Sequence, residues 1–457
     1  MEPKSPKTVL LVDDDPIFLK GMMYTIKQLG HECVMATGGR EAAEKLKTIS
    51  VDAIVSDINM PNGNGLQLLN HVKKVRPTPV ILMTGLSDLK EAQTAIDMGA
   101  RSFLSKPFKK AELSNALQSC FEKTEAPVEK QEEEMIKLHL EEFLQGQKMS
   151  FNIFMKRNDF MVKISNGGEN LSPESIHSYR ETGIEVLYVA KKDFLEYLGL
   201  KDFPTTNVDQ KKKAAIIEEA HHAIEKLSYL RPLNREAAQR AIWLVDLTLE
   251  ILTANNDMID ILERMRINYP EIYFRSIHVA TLSSLMGQYR GSTTTREHFI
   301  LICSGLLHRI GLMDTHLAAY RDSIEELSLE DRSVYETHPE RAIKDLSKIA
   351  HFPDEVLLLI EQQHENFIGT GFPNKLTSHF IHPLARVLTV SSSFMTELLS
   401  RPLTIEAAFG LLDEFSVNSI GTYDMKSIES LFMVFNHSIP QAFVEYQLTQ
   451  ILAPVEA

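Results

Sequence analysis

Short apolar runs recur through the first 124 residues, and each one stops at a polar or acidic residue. Val9 to Val12 gives way to Asp13-Asp14-Asp15, and further runs cover 33–36, 53–55, 80–83 and 102–104. Apolar residues at helical spacing fill the intervals between them. Asp15-Pro16 reads as a helix start, a capping carboxylate followed by proline at the first helical position, with the helix running to Gly30. Strands alternating with helices predict an α/β doubly wound parallel sheet with helices on both faces.

Beyond this the pattern changes twice. Residues 125–147 are rich in Glu and Lys around Glu132-Glu133-Glu134. Met135, Leu138, Leu140, Phe143 and Leu144 form a partial stripe, which predicts a helical linker. Strand patterns at 151–154, 160–164 and 186–189, with a short helix from Ser172-Pro173 to Gly183, predict a small α+β module over 148–205. From 206 to 457 the apolar spacing is helical, with helices predicted over 214–230, 235–252, 257–266 and 276–289. The expected fold is multidomain: a doubly wound α/β sheet over 1–124, the linker, the small module and an all-α bundle.

Composition narrows the function. The 457 residues are 44% hydrophobic and 24% charged, enough to bury real cores. A net charge of -14 offers no basic field to nucleic acid. No apolar run is long enough to span a membrane, and Met1 to Lys7 carries no signal-peptide core. Three cysteines, Cys33, Cys120 and Cys303, show neither metal nor disulfide spacing. The expectation is a cytoplasmic protein with no nucleic-acid or membrane partner.

An open parallel sheet gathers its functional groups at the carboxyl ends of its strands. Asp13 and Asp14 end the first predicted strand, Asp57 the third, Thr84 the fourth and Lys106 the fifth. Carboxylates converging there need a cation such as Mg²⁺, and a nearby lysine and hydroxyl could hold a phosphoryl group on one of them. Residues 7–123 resemble a response-regulator receiver domain. The matching motifs are Val12-Asp13-Asp14, Asp57-Ile58-Asn59-Met60-Pro61 with Gly65, Thr84-Gly85 and Lys106-Pro107-Phe108. The resemblance implies that Asp57 accepts phosphate from a histidine kinase or phosphotransfer protein. It also implies Mg²⁺ on Asp13, Asp14, Asp57 and the carbonyl of Asn59, a switch pair of Thr84 and Phe103, phosphoryl contact by Lys106, and a cis Lys106–Pro107 bond.

In the helical half, histidines stand at informative places: His278, His308 at the end of an apolar helical run, His338 before Pro339, and His364 before Glu365. Gly369-Thr370-Gly371-Phe372-Pro373 follows. Hydrolysis of a phosphodiester at a multinuclear site needs clustered histidines and bridging carboxylates. Residues 270–405 resemble the HD-GYP subgroup of HD-domain phosphohydrolases, which cleave cyclic di-GMP. Against that family Arg309 replaces the bridging aspartate, Leu312 a lysine, Gln363 a histidine, Ser392 an aspartate, Phe274 an acid, Ile368 an aspartate and Phe372 the signature tyrosine. The joint loss of ligand chemistry at Arg309, Gln363 and Ser392 predicts a degenerate site without its metal. Arg309 would then supply the missing positive charge, anchored by Glu365 or another acid.

The reading is therefore a response regulator whose receiver controls a noncatalytic HD-GYP-like domain that acts by binding a protein or nucleotide. A cyclic di-GMP signalling protein is one candidate partner, and a homodimer stays open. The rival is an active metal-dependent cyclic di-GMP phosphodiesterase.

Overall fold

The computed structural model describes residues 6–61, 63–75, 77–85, 98–121, 135–143, 149–157, 160–169, 171–181, 183–204, 206, 208–228, 235–291, 294–318 and 327–436. The chain divides into two units, Met1–Phe194 and Leu195–Ala457.

The first unit opens with five parallel strands: β1 (Thr8–Val12), β2 (Glu32–Ala36), β3 (Ala53–Asp57), β4 (Val80–Gly85) and β5 (Ser102–Lys106). Their spatial order is β2-β1-β3-β4-β5. Helix α1 (Pro16–Gln28) follows β1 and starts as its sequence dictates. The Asp15 carboxylate accepts from the backbone N–H groups of Ile17 (2.8 Å) and Phe18 (3.3 Å). Strand side chains alternate between faces. Val9, Leu11, Val55 and Ile81 pack with Leu19, Met22 and Ile26 of α1 and with Leu113 and Leu117. Leu10, Ile54 and Leu82 alternate to the opposite face and are as fully buried. The expected doubly wound sheet is present, and its register brings Asp13, Asp57 and Lys106 to one end.

The same unit holds a second, antiparallel sheet in the order β6-β9-β7-β8. Its strands are β6 (Met135–His139), β7 (Ile153–Arg157), β8 (Phe160–Ser165) and β9 (Val186–Ala190). One expectation fails here. Met135–His139 is not part of a helical linker but a strand paired along its length with Val186–Ala190, followed by a 3-10 turn at Leu140–Phe143. Met135, Leu138, Phe143 and their neighbours fit a helical stripe only in isolation. A free strand edge on β9 offers them a hydrogen-bonded ladder, and tertiary pairing overrides weak local propensity. The remainder of 125–147 and the expected turn at 158–159 lie outside the described residues.

The second unit is helical. Its helices include α2 (Gln210–Ser228), α3 (Arg235–Leu252), α4 (Asn256–Asn268), α5 (Pro270–Arg290), α6 (Thr295–Leu307), α7 (Leu329–Glu336), α8 (His338–Leu346), α9 (Asp354–Gln362) and α10 (Pro383–Leu398). Helix α5 is buried around its whole girth from Tyr273 to Gly287 save Phe274, so it is the axis on which the bundle packs. Helix α6 begins at a capping box between Thr294 and Glu297, which satisfies two end groups reciprocally. It ends at Leu307, and a 3-10 turn over Ile310–Leu312 follows. Gly311 in that turn lies against the start of α8, where any Cβ would overlap the His338 carbonyl oxygen. Glycine there lets His338 approach the His308-Arg309 corner.

Candidate functional site

Two clusters of chemistry-bearing side chains emerge, one in each unit. The first sits at the carboxyl end of the parallel sheet. Asp13 and Asp57 are both buried, while Asp14 is exposed. Lys106 Nζ donates to Asp13 Oδ2 (2.7 Å) and to Asp57 Oδ1 (2.6 Å). The backbone pins the other carboxylate oxygens, with Asp15 N–H donating to Asp13 Oδ1 (2.9 Å) and Asn59 N–H to Asp57 Oδ2 (2.9 Å). Phe103 is buried on β5, and of Thr84 only the backbone is described. The Lys106–Pro107 bond is cis.

Charge is tightly coupled here. Burial pushes the Asp57 carboxyl above the usual carboxylate range, with the Asp13 charge adding to it, although Lys106 pulls the other way. Burial alone would lower the Lys106 ammonium, but its bonds to Asp13 and Asp57 outweigh that and raise it. Two acids and one ammonium leave net negative charge in a pocket of oxygen donors, which suits a hard divalent cation such as Mg²⁺.

The second cluster joins the ends of α6, α7, α8 and α9. His308 Nδ1 donates to the Gly305 carbonyl (2.7 Å) and His338 Nδ1 to that of Tyr335 (2.7 Å). Those bonds fix the proton on Nδ1 and leave Nε2 as a bare lone pair. Among the described residues, the buried Nε2 atoms of His308, His338 and His364 find no hydrogen-bond partner, and neither does Gln363 Oε1. Gln363 spends its amide protons on the carbonyls of His308 (2.9 Å) and Ile360 (3.1 Å). Ring centroids of His338 and His364 lie 5.0 Å apart. Tyr335 packs against both, 5.0 Å from His338 and 5.6 Å from His364. His364 stacks on Phe372 at 4.4 Å.

Arg309 is buried in this corner, and its Nη2 donates to the Tyr335 hydroxyl (3.2 Å). Among the described residues it has no ion pair with an acid. The expected anchor, Glu365, is committed elsewhere. Its Oε1 accepts from the Asn374 N–H (2.6 Å) and its Oε2 from the Leu376 N–H (2.8 Å). The carboxylate holds the Gly369–Pro373 loop in place instead of bridging to Arg309. Gly371 of that loop presses on the His364 backbone where a Cβ would overlap the carbonyl oxygen, and the Phe372–Pro373 bond is cis.

Each cluster falls within the span of a known domain family. The description "Response regulator receiver domain" matches residues 9–118, and "HD domain" matches residues 256–414. The chain joins a receiver domain to an HD domain. It is 36% identical over 107 residues to the transcriptional regulatory protein VxrB of Vibrio cholerae, covering 23% of this chain and 43% of that one. It is 36% identical over 120 residues to the transcriptional regulatory protein GlrR of Escherichia coli, covering 26% of this chain and 27% of that one. The chain thus spans less than half the length of these relatives. Among solved structures, an HDG"Y"P protein from Bdellovibrio bacteriovorus is 20% identical, with a TM-score of 0.34, 65% of this chain covered and 98% of that one. The receiver domain of an HD domain-containing protein from Pseudomonas fluorescens is 29% identical, with a TM-score of 0.25, 26% of this chain covered and 90% of that one.

A receiver domain implies Mg²⁺ binding, and the acid pair of the first cluster fits it. An HD domain implies a metal as well, and there the buried Arg309 guanidinium stands beside the imidazole donors, a cation that no metal centre uses as a ligand. Among the described residues, no three His, Cys, Asp or Glu side chains are placed to hold an ion. His278 Nδ1 donates to the Phe274 carbonyl (2.6 Å), its ring lies 4.1 Å from that of Phe274, and the charge of Lys226 on α2 acts on it. Ser392 is buried on α10, with its carbonyl accepting from Thr396. Sequence reasoning missed Tyr335, the ring at the centre of the cluster. Its signal was its position three residues before His338, on the turn whose carbonyl orients that imidazole. It also missed Arg275, a buried second cation that acts on His308.

The histidines are neutral. Burial drives His308 well below the usual imidazole range, with Arg309 adding to it, and does the same to His364 with His338 and Arg309. Burial brings His338 down to about 3 and His278 down to about 4. Unfolded imidazoles titrate near 6.5, so below that pH the unfolded chain binds protons that the native domain refuses. Stability is therefore full above about pH 6.5 and is lost as pH falls toward the depressed native values, by about 1.4 kcal/mol per pH unit for each neutral imidazole. Urea unfolding of the full chain, followed through Trp243 on α3, the one tryptophan in the sequence, should show a midpoint far lower at about pH 5 than at about pH 7. An unchanged midpoint would mean that these imidazoles are not buried in their neutral form.

Proposed function

We propose that the protein is a phosphorylation-controlled regulator in which Asp57 receives a phosphoryl group and the HD domain serves as a binding output rather than a hydrolase. A histidine kinase or phosphotransfer protein supplies the phosphoryl group. Mg²⁺ would be held by Asp13, Asp14, Asp57 and the Asn59 carbonyl, where it neutralises charge as Asp57 is modified. Lys106 then moves from pairing with Asp57 to contacting the phosphoryl oxygens. Thr84 and Phe103 register the change. The observation that carries the receiver half is the Lys106 ammonium held within 2.7 Å of Asp13 and 2.6 Å of Asp57.

The output half rests on Arg309. A hydrolytic dinuclear centre needs a carboxylate at this corner to bridge two ions. Here a permanent cation is buried instead, and Glu365 is spent on two backbone N–H groups. A guanidinium with no acid paired to it among the described residues, beside unprotonated imidazoles, suits the recognition of an anionic group, so a nucleotide or an acidic side chain of a partner protein is the expected ligand.

One observation favours the rival hydrolase. Imidazoles oriented by a carbonyl on Nδ1, with Nε2 bare, are how proteins prepare metal-binding histidines. The two halves are tested separately. Acetyl phosphate with Mg²⁺ should label the wild-type protein and leave Asp57→Asn unlabelled; equal labelling of both would overturn the receiver assignment. Cyclic di-GMP incubated with the protein and Mn²⁺ should remain intact. Turnover that disappears in His338→Ala would overturn the binding-output reading.

A further inference from the structure

A lysine in the small antiparallel sheet acts on the turn that carries Lys106. Lys163 lies on β8, the edge strand of that sheet, and its side chain is only 7% exposed. Lysine is rarely buried so far, because its ammonium must keep partners to replace water. Lys163 Nζ donates to the Pro107 carbonyl (3.0 Å) and pairs with Glu112 Oε2 (3.2 Å). Glu112 sits in the first turn of the helix Lys110–Phe121, and its Oε2 also accepts from the Lys109 N–H (3.2 Å).

Three consecutive residues of this turn are thereby held from three directions. Lys106 reaches back to Asp57 and Asp13, and its Nζ lies 4.3 Å over the Phe18 ring. The Pro107 carbonyl is gripped by Lys163. Phe108 meets Phe18 edge-on at 6.4 Å between ring centroids. Two of these anchors come from the receiver itself, and the third comes from a different sheet.

We propose that Lys163 is a positioning residue for phosphoryl transfer to Asp57, fixing the Lys106–Phe108 turn through the Pro107 carbonyl so that the Lys106 ammonium stays on the reacting carboxylate. This rests on the reading that Asp57 is the phosphoryl acceptor. With acetyl phosphate, an Asp57 oxygen forms a bond to phosphorus while the bond from phosphorus to the acetate oxygen breaks, and acetate leaves with the electron pair. Lys106 faces the charge that moves in that step. A grip on its backbone sets its distance from the phosphoryl oxygens, and a supporting contact of this kind changes rate without touching substrate.

The test uses the full chain and follows the acetyl-phosphate-dependent labelling rate and the lifetime of the label. Lys163→Met keeps the apolar stem and removes the ammonium. Lys163→Arg keeps a cation, and Asp57→Asn marks the background. The labelling rate constant at saturating acetyl phosphate should fall about tenfold in Lys163→Met, with far-UV circular dichroism and half-saturation little changed, and should recover in Lys163→Arg. Wild-type labelling at Asp57 with an equal rate in Lys163→Met would overturn the role of Lys163 alone. Loss in Lys163→Met that Lys163→Arg does not recover would also overturn it, as would loss accompanied by a changed circular dichroism spectrum. No labelling of the wild-type protein would instead overturn the phosphoryl-acceptor reading beneath it.

Discussion

A buried cation must find something to replace water, and this protein answers that constraint in three ways. Lys106 is shared between two buried carboxylates. Lys163 takes a backbone carbonyl and a glutamate. Arg309 has a tyrosine hydroxyl and neutral imidazoles, with no acid paired to it among the described residues. Desolvating an ion costs several kcal/mol unless its partners are well placed. The first two arrangements are repaid within the fold. Among the described residues the third is not, and that charge beside bare acceptor atoms is the feature on which the proposed binding output depends.

The two domains were legible in the sequence for different reasons. The receiver could be read because its sheet is parallel and fully covered, so each strand is a continuous apolar run and each functional residue falls at a strand end. Asp13, Asp57 and Lys106 converge because register and strand order leave them nowhere else to go. The HD bundle could be read from helical spacing and from histidines at motif positions. Three of those four, His308, His338 and His364, do come together.

What escaped the sequence is set by tertiary choice. Met135–His139 has a pattern compatible with either helix or strand, and the free edge of β9 decides it. Glu365 lies one residue from His364, so proximity in sequence suggested a partner for Arg309. The loop turns its backbone N–H groups toward the carboxylate first. His278 stands on the buried helix α5, where its ring packs against Phe274 one turn earlier. Tyr335 belongs to no metal-ligand motif and is visible only once its ring is seen packed against both His338 and His364.

The central claim is that the HD corner is built around Arg309 and not around an ion. Its most direct test is the transition-metal content of the full-length protein, purified without chelators and then washed free of loosely bound Mg²⁺. The account predicts manganese, iron and zinc all well below stoichiometric, and unchanged in His338→Ala. A stoichiometric ion that His338→Ala loses would contradict it.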